Sequence, residues 1–263
     1  MNPRGRERDS RGPRGRDDRF EAIHKAFGDR KVLDGVSLDV DTGEVLYIVG
    51  NSGAGKSVLV KHLVGLLRPD AGRILLGGRD ITWLSEAEFY AVRKQCAMVF
   101  QNSTLFDAMT LIENVALPYR KHYGLSVRAA RTRALEKLDL VGMRHAADWL
   151  PGDIGDGLKK RVAIARALTL EPSYVIFDEP TTGLDPLAAA QVDALIRSLK
   201  HDTGVTSIVV SHDLRSIFGV ADRIAMIYQG KILIDGTPAE IRASPDPIID
   251  QFFHGRPEGP MRI

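Results

Sequence analysis

The chain has 263 residues, 44% hydrophobic and 27% charged, an ordinary globular composition with room for one large domain or two modest ones. A formal net charge of +2 carries no overall nucleic-acid signature, so no nucleic-acid partner is expected. The single cysteine, Cys96, excludes an internal disulfide framework and suits a reducing compartment; no apolar run reaches the roughly 18 residues of a membrane-spanning helix, and no charged-then-apolar secretory leader opens the chain.

Residues 1–19 are Arg, Gly, Pro and Asp with almost no apolar side chain, too little to offset the cost of ordering, so a disordered Arg/Gly-rich tail is expected. Seven arginines against Glu7, Asp9, Asp17 and Asp18 give it +3 and leave the rest of the chain at −1. Such a tail is either a solvated extension or a contact for anionic lipid headgroups or RNA. The interspersed acids argue against an organelle transit peptide.

The folded part is expected from Phe20 onward. Phe27 is either a core residue or an aromatic placed to stack on a base. Val32 to Val40 alternates in part between apolar and polar, as the edge of an antiparallel sheet with one wet face does. Asp41-Thr42-Gly43-Glu44 is a turn.

Val45-Leu46-Tyr47-Ile48-Val49 then reads as a buried parallel strand, followed by Gly50-Asn51-Ser52-Gly53-Ala54-Gly55-Lys56-Ser57 and an apolar helix from Val58 to Leu67. Glycine, four residues, Gly-Lys-Ser between a strand and a helix is the phosphate-binding loop pattern. Glycines let successive N–H groups point into one concavity, and the helix start adds partial positive charge. Lys56 can reach the β- and γ-phosphates of a nucleotide and the Ser57 hydroxyl can ligate Mg²⁺. The expected nucleotide contact is continuous: Gly50, Asn51, Ser52, Gly53, Ala54, Gly55, Lys56, Ser57 and Val58. The bland alternative is a glycine-rich turn with a chance Lys-Ser, and the later nucleotide-site features weigh against it.

Arg68 to Gly72 ends that helix, Arg73 to Leu76 is a strand, and Gly77-Gly78 turns. Residues 84–95 read as a helix with acids early (Glu86, Glu88) and bases late (Arg93, Lys94), matching the helix dipole. Ala97 to Phe100 is a short buried strand with Gln101 at its end, where polar residues of α/β sheets face ligands. Gln101 can bind Mg²⁺ or the attacking water; otherwise it is a loop-capping amide. Residues 105–150 look mostly helical, and Lys159 to Leu168 is a helix, basic at its start. Tyr174-Val175-Ile176-Phe177-Asp178-Glu179 is a buried strand ending in two acids. Asp178 can hold the Mg²⁺ shell and Glu179 can polarise a water. Pro180 to Asp185 is a tight loop, Ala188 to Leu199 a helix, and Thr206 to Val210 a strand ending in Ser211-His212-Asp213. A histidine there can donate to a γ-phosphate oxygen.

The phosphate loop, Gln101, the segment 154–158, Asp178-Glu179, Leu184-Asp185 and His212 fall in the order of an ABC transporter ATPase, which the chain resembles over about residues 20–263. The resemblance implies an α/β fold: a P-loop NTPase (RecA-like) core, an antiparallel β subdomain, and an inserted helical subdomain at about 102–168. It implies ATP and Mg²⁺ as cofactors and a head-to-tail homodimer closing on two ATP molecules. Each site would join one chain's phosphate loop to the other chain's signature segment, here Gly155, Asp156 and Gly157, with Asp185 nearby. Phe27 matches the family's base-stacking aromatic. Gln101 to Thr110, Phe177 to Pro186 and the C-terminal tail of about 244–263 resemble ATPases of phospholipid transporters of the Mla type, which work with MCE proteins. That likeness implies an integral-membrane permease and an MCE-type lipid-binding protein as partners. It also implies a peripheral position on the cytoplasmic face of the inner membrane of a bacterium with an outer membrane.

One departure stands out. The family signature is Leu-Ser-Gly-Gly-Gln or near it, and Ile154-Gly155-Asp156-Gly157-Leu158 matches it without a gap. The serine that would meet the γ-phosphate across the dimer is Gly155, and the next glycine is Asp156. A carboxylate near a triphosphate repels it unless Mg²⁺ or a base screens the charge. Gly155 still offers a backbone N–H at a helix start, so nucleotide binding with slow hydrolysis is expected. Two other classes compete: a regulatory subunit with little turnover, motivated by Gly155 and Asp156, and a non-transport ABC protein acting on ribosomes or DNA. The second usually carries two cassettes or a long coiled-coil insertion. No Asn-Lys-x-Asp guanine motif points to a GTPase.

Overall fold

The computed structural model describes residues 18–261. Six strands form the central sheet: β3 (Val45–Val49), β6 (Cys96–Val99), β7 (Tyr174–Asp178), β8 (Thr206–Val210), β9 (Arg223–Tyr228) and β10 (Lys231–Gly236), ordered β10-β9-β3-β8-β7-β6. All its neighbours are parallel except the β9–β10 hairpin. A smaller antiparallel sheet joins β1 (Asp18–Phe27), β2 (Arg30–Val40), β4 (Ala71–Leu76) and β5 (Arg79–Asp80), with β2 at one edge as the alternation in the sequence predicts. The helices are α1 (Lys56–Leu63), α2 (Glu86–Gln95), α3 (Leu111–Tyr123), α4 (Val127–Leu140), α5 (Asp156–Ala167), α6 (Pro186–Thr203), α7 (Leu214–Val220), α8 (Pro238–Arg242) and α9 (Pro247–His254).

Every residue of β3, β7 and β8 is buried, which explains the unbroken apolar run of β3 and the apolar stretches Tyr174 to Phe177 and Ile208 to Val210. The two-residue period of a strand then divides them between two cores. Val45, Tyr47 and Val49, with Val175 and Phe177, face a core shared with α3 to α7. Leu46 and Ile48, with Tyr174 and Ile176, face a second core shared with α1 and the antiparallel sheet. Full burial of each such side chain stabilises the fold by about 1.5–3 kcal/mol. The phosphate loop therefore leaves a strand clamped on both faces.

The block between β6 and β7 is helical. Thr110 and Glu113 form a capping box that starts α3, and Gly124 in the left-handed region ends it. Ser126 caps α4, so α3 and α4 form a hairpin that packs Val115, Ala130, Ala134 and Leu138 with Val162 and Ile164 of α5.

Several boundaries differ from the sequence expectation. The first strand starts at Asp18, not Phe20, because the Asp18 carboxylate is 2% exposed and accepts hydrogen bonds from the Tyr174 hydroxyl and the Gly77 amide. Residues 1–17 of the expected tail lie outside the described residues. Helix α1 stops at Leu63 instead of continuing to Leu67: Gly65 turns into the left-handed region at φ 68°, and the Phe89 ring occupies the place its Cβ would take, at 2.6 Å. Helix α5 starts three residues before Lys159, and α6 runs past both expected ends because Asp185 and Gly204 cap it. Residues 214–243, assigned no element from the sequence, form α7, β9, β10 and α8; β9 turns out to be a direct neighbour of β3.

Candidate nucleotide site

The C-terminal ends of β3 and β7 open on a groove of about 520 Å³ lined by residues 52–58, Phe27, Arg30, Gln101 and Glu179. Two glycines show why the loop has the sequence it has. Gly50 sits at φ 145°, and a Cβ there would run into the backbone carbonyl of Ile227. Gly55 caps α1 at φ 103°, and a Cβ there would stand 2.7 Å from Leu33 and 3.0 Å from the Val32 carbonyl. Both positions exclude any side chain, so the backbone is committed to a loop whose amides crowd at the start of α1.

Lys56 is buried, and its Nζ donates to the carbonyls of Gly50 (2.8 Å) and Asn51 (3.0 Å). Neither Gly50 nor Asn51 lines the groove, and their carbonyls hold the lysine. Burial pulls the Lys56 pKa below its ordinary value, while the carboxylates of Glu179 and Asp178 oppose that pull. Ser57 Oγ donates to Asp178 Oδ1 at 2.7 Å, which joins the end of β7 to the start of α1. Gln101 opens into the same groove from the end of β6. Hydroxyl, carboxylate and amide oxygen are the hard donors Mg²⁺ prefers, so this set fits the ion. Among the described residues no cluster of three His, Cys, Asp or Glu forms.

Glu179 adopts φ 52°, a left-handed backbone that costs of order 1–3 kcal/mol outside glycine. The strain is held by its amide, which donates to the Val210 carbonyl of β8 at 2.9 Å. Its carboxylate is mostly buried, takes a hydrogen bond from Thr182 Oγ1 at 3.0 Å, and lies 2.9 Å from His212 Nδ1. The histidine expected to face phosphate is therefore docked on the expected water-activating acid. A carboxylate fixed on two sides and open to the groove can take a proton from a water. Phe27 is half exposed on the groove wall, which rules out the core reading, with Lys25 Nζ 5.6 Å from its ring centre.

The structure separates the remaining candidates from this group. Gly155 caps α5 without a side-chain hydrogen bond, and Asp156 opens onto a different cavity of about 550 Å³ beside Gln101, Lys159 and Thr182. Gly157 serves packing: a Cβ would stand 2.8 Å from Ala188 of α6. Asp185 caps α6, accepting from the amides of Leu187 (2.9 Å) and Ala188 (3.0 Å), and does not line the groove. Lys159 Nζ stands 3.3 Å from Asp156, so the base needed to screen that carboxylate is present on the next turn.

Three residues of the site escape the sequence reading. Arg30 stands over the loop, 2.9 Å from where a Gly53 Cβ would be. Thr182 orients Glu179; its place in the loop after the acidic pair was the signal. Lys160 is buried and donates to the carbonyls of Phe100 (2.9 Å) and Gln101 (2.6 Å). Its pKa falls to about 8 through burial, opposed by Asp156 and Asp178. Nothing distinguishes it in the sequence from its basic neighbours.

The fold and groove define a phosphate-loop nucleotide-binding domain, and residues 33–182 match the ABC transporter family model, so the chain belongs to that family. It is 40% identical over 236 residues, covering 90% of this chain and 89% of the relative, to the intermembrane phospholipid transport system ATP-binding protein MlaF of Haemophilus influenzae. It is 42% identical over 227 residues, 86% of this chain and 62% of the relative, to the methionine import ATP-binding protein MetN of Rhizobium johnstonii. Among solved structures it resembles a dimeric, post-hydrolysis ATP-binding cassette, MJ0796, bound to ADP and Pi. That match has a TM-score of 0.76 and 29% identity, and covers 84% of this chain and 98% of that one.

Proposed function

We propose that the chain is the ATP-hydrolysing subunit of a transporter that moves phospholipid between the membranes of a bacterial envelope. The observation that carries this reading is the near end-to-end likeness to MlaF combined with an intact Lys56, Ser57, Asp178, Glu179 and His212. MetN is similar in identity, but the chain spans 62% of it against 89% of MlaF, which favours the lipid reading over amino-acid import. In this reading the lipid path is carried by a separate integral-membrane permease, with this chain peripheral on the cytoplasmic face of the inner membrane; among the described residues no helix is long and apolar enough to cross a membrane. An MCE-type lipid-binding protein completes the complex.

The chemistry follows from the residues. The amides of residues 52–58 and Lys56 bind the phosphates, and Phe27 stacks on the base. Ser57, Asp178 and Gln101 would hold Mg²⁺, which when bound would neutralise charge on the phosphates. Glu179, held by Thr182 and His212, accepts a proton from water, and His212 donates toward the γ-phosphate. Because none of Gly155, Asp156 and Gly157 lines the groove of its own chain, a second copy brings them to it, in a head-to-tail pair. Asp185 belongs to that interface. Lys159 screens Asp156, which favours turnover over the regulatory reading.

The test is phosphate release from ATP by the purified chain, alone and with its permease in lipid, each beside Glu179→Gln. Release that needs Glu179 and rises with the permease supports the reading. Nucleotide binding without Glu179-dependent release would overturn it in favour of a regulatory subunit. Fluorescent phospholipid transfer by the complex, with methionine uptake as the comparison, tests the cargo.

A further inference from the structure

The segment 100–104 leaves the sheet at edge strand β6, whose ladder with β7 ends at Val99. Beyond that point its carbonyls turn to α5. Lys160 takes those of Phe100 and Gln101 at 2.9 and 2.6 Å. Arg166, six residues on, takes those of Ser103 and Thr104 at 3.3 and 3.0 Å and the Thr104 hydroxyl at 3.1 Å. Thr104 is at φ 49°, a conformation this grip holds in place. Lys160 is 2% exposed, so its ammonium has exchanged water for these carbonyls. The Gln101 side chain makes no hydrogen bond among the described residues, so the backbone sets where its amide stands.

We propose that Lys160 is a positioning residue of the nucleotide site: by gripping the Phe100 and Gln101 carbonyls it sets the Gln101 amide in the groove and ties it to the helix that begins at Gly155. The inference rests on the ATPase reading above. Lys160 and the signature share one rigid helix, and Gln101 shares the groove with Lys56 and Glu179. A displacement of the start of α5 must therefore pull on Gln101, and nucleotide contact at Gln101 must pull on α5. A simple packing staple would instead stabilise α5 without changing how Gln101 meets the nucleotide.

The experiment uses the full chain as wild type, Lys160→Met and Lys160→Arg. Methionine keeps the length and removes every donor; arginine keeps charge and donors. Hydrogen exchange over residues 100–105 is followed with and without a non-hydrolysable ATP analogue and Mg²⁺, beside kcat and KM for phosphate release. Lys160→Met is expected to speed exchange over 100–105 at least tenfold, to abolish its slowing by the analogue, and to lower kcat at least tenfold with KM within threefold. Lys160→Arg should recover at least half of kcat. Unchanged exchange at 100–105, kcat within twofold of wild type, or an arginine variant no better than methionine would each overturn the proposal. A wild type that releases no Glu179-dependent phosphate would sink the ATPase reading instead, and the exchange arms would still decide the role of Lys160.

Discussion

The start of α1 and the start of α5 are both helix N-termini, and they are built differently. At α1 two glycines exclude side chains, a buried lysine is aimed by two carbonyls, and Ser57 is bonded to Asp178. At α5 the hydroxyl is missing, Gly155 caps without a side chain, and an exposed carboxylate stands where a glycine is expected. One end is anchored in the central sheet and tolerates little; the other lies at the surface, where Lys159 compensates in part. An exposed Lys–Asp pair contributes only about 0–1 kcal/mol, so the Lys159–Asp156 contact adds little to the stability of the fold.

The largest effect should come from the sheet-anchored end. Glu179→Gln should lower kcat by about 10²–10⁴-fold while ATP binding, read by equilibrium titration, is retained. Unimpaired turnover would remove Glu179 from its role. Lys56→Ala should come next. It deletes a charged donor, worth about 1.5–3 kcal/mol, and should weaken ATP binding roughly 10–150-fold. At the other end, Gly155→Ser with Asp156→Gly restores the missing hydroxyl and removes the carboxylate. ATPase rate and ATP-driven dimerisation should both rise several-fold, and no change in either would mean the altered signature is neutral.

Smaller effects separate structure from chemistry. Asp185→Ala removes the cap of α6 and should cost about 0.5–2 kcal/mol in chemical denaturation, whatever it does to the dimer. Glu44 is the smallest. Burial raises its pKa from 4.5 to about 7, against the Asp41 amide and Arg223, which favour the charge. A carboxyl that holds its proton more tightly when folded stabilises the fold fully below about pH 4.5, and that contribution is lost as pH rises to about 7. Glu44→Gln should flatten this part of a Tm-against-pH curve relative to wild type; parallel curves would count against the assignment.

What could be read from the sequence follows from locality. The phosphate loop, β3, β7 with its two acids, and β8 with His212 are contiguous, and a buried parallel strand announces itself by an unbroken apolar run. Capping residues likewise mark α2, α3 and α6 within a few positions. Other features depend on residues far apart in the chain. Glu179 meets His212 only because β7 and β8 are neighbours, and Ser57 meets Asp178 across 121 residues. Lys160 is buried under a loop some 60 residues earlier, Asp185 caps a helix instead of lining the groove, and Asp156 lines a cavity other than the groove of the phosphate loop. Local pattern marked most of the candidate residues. Only the packing of strands and helices decided which of them touch, because pairing partners and desolvation are set by the whole sheet and not by any one stretch of it.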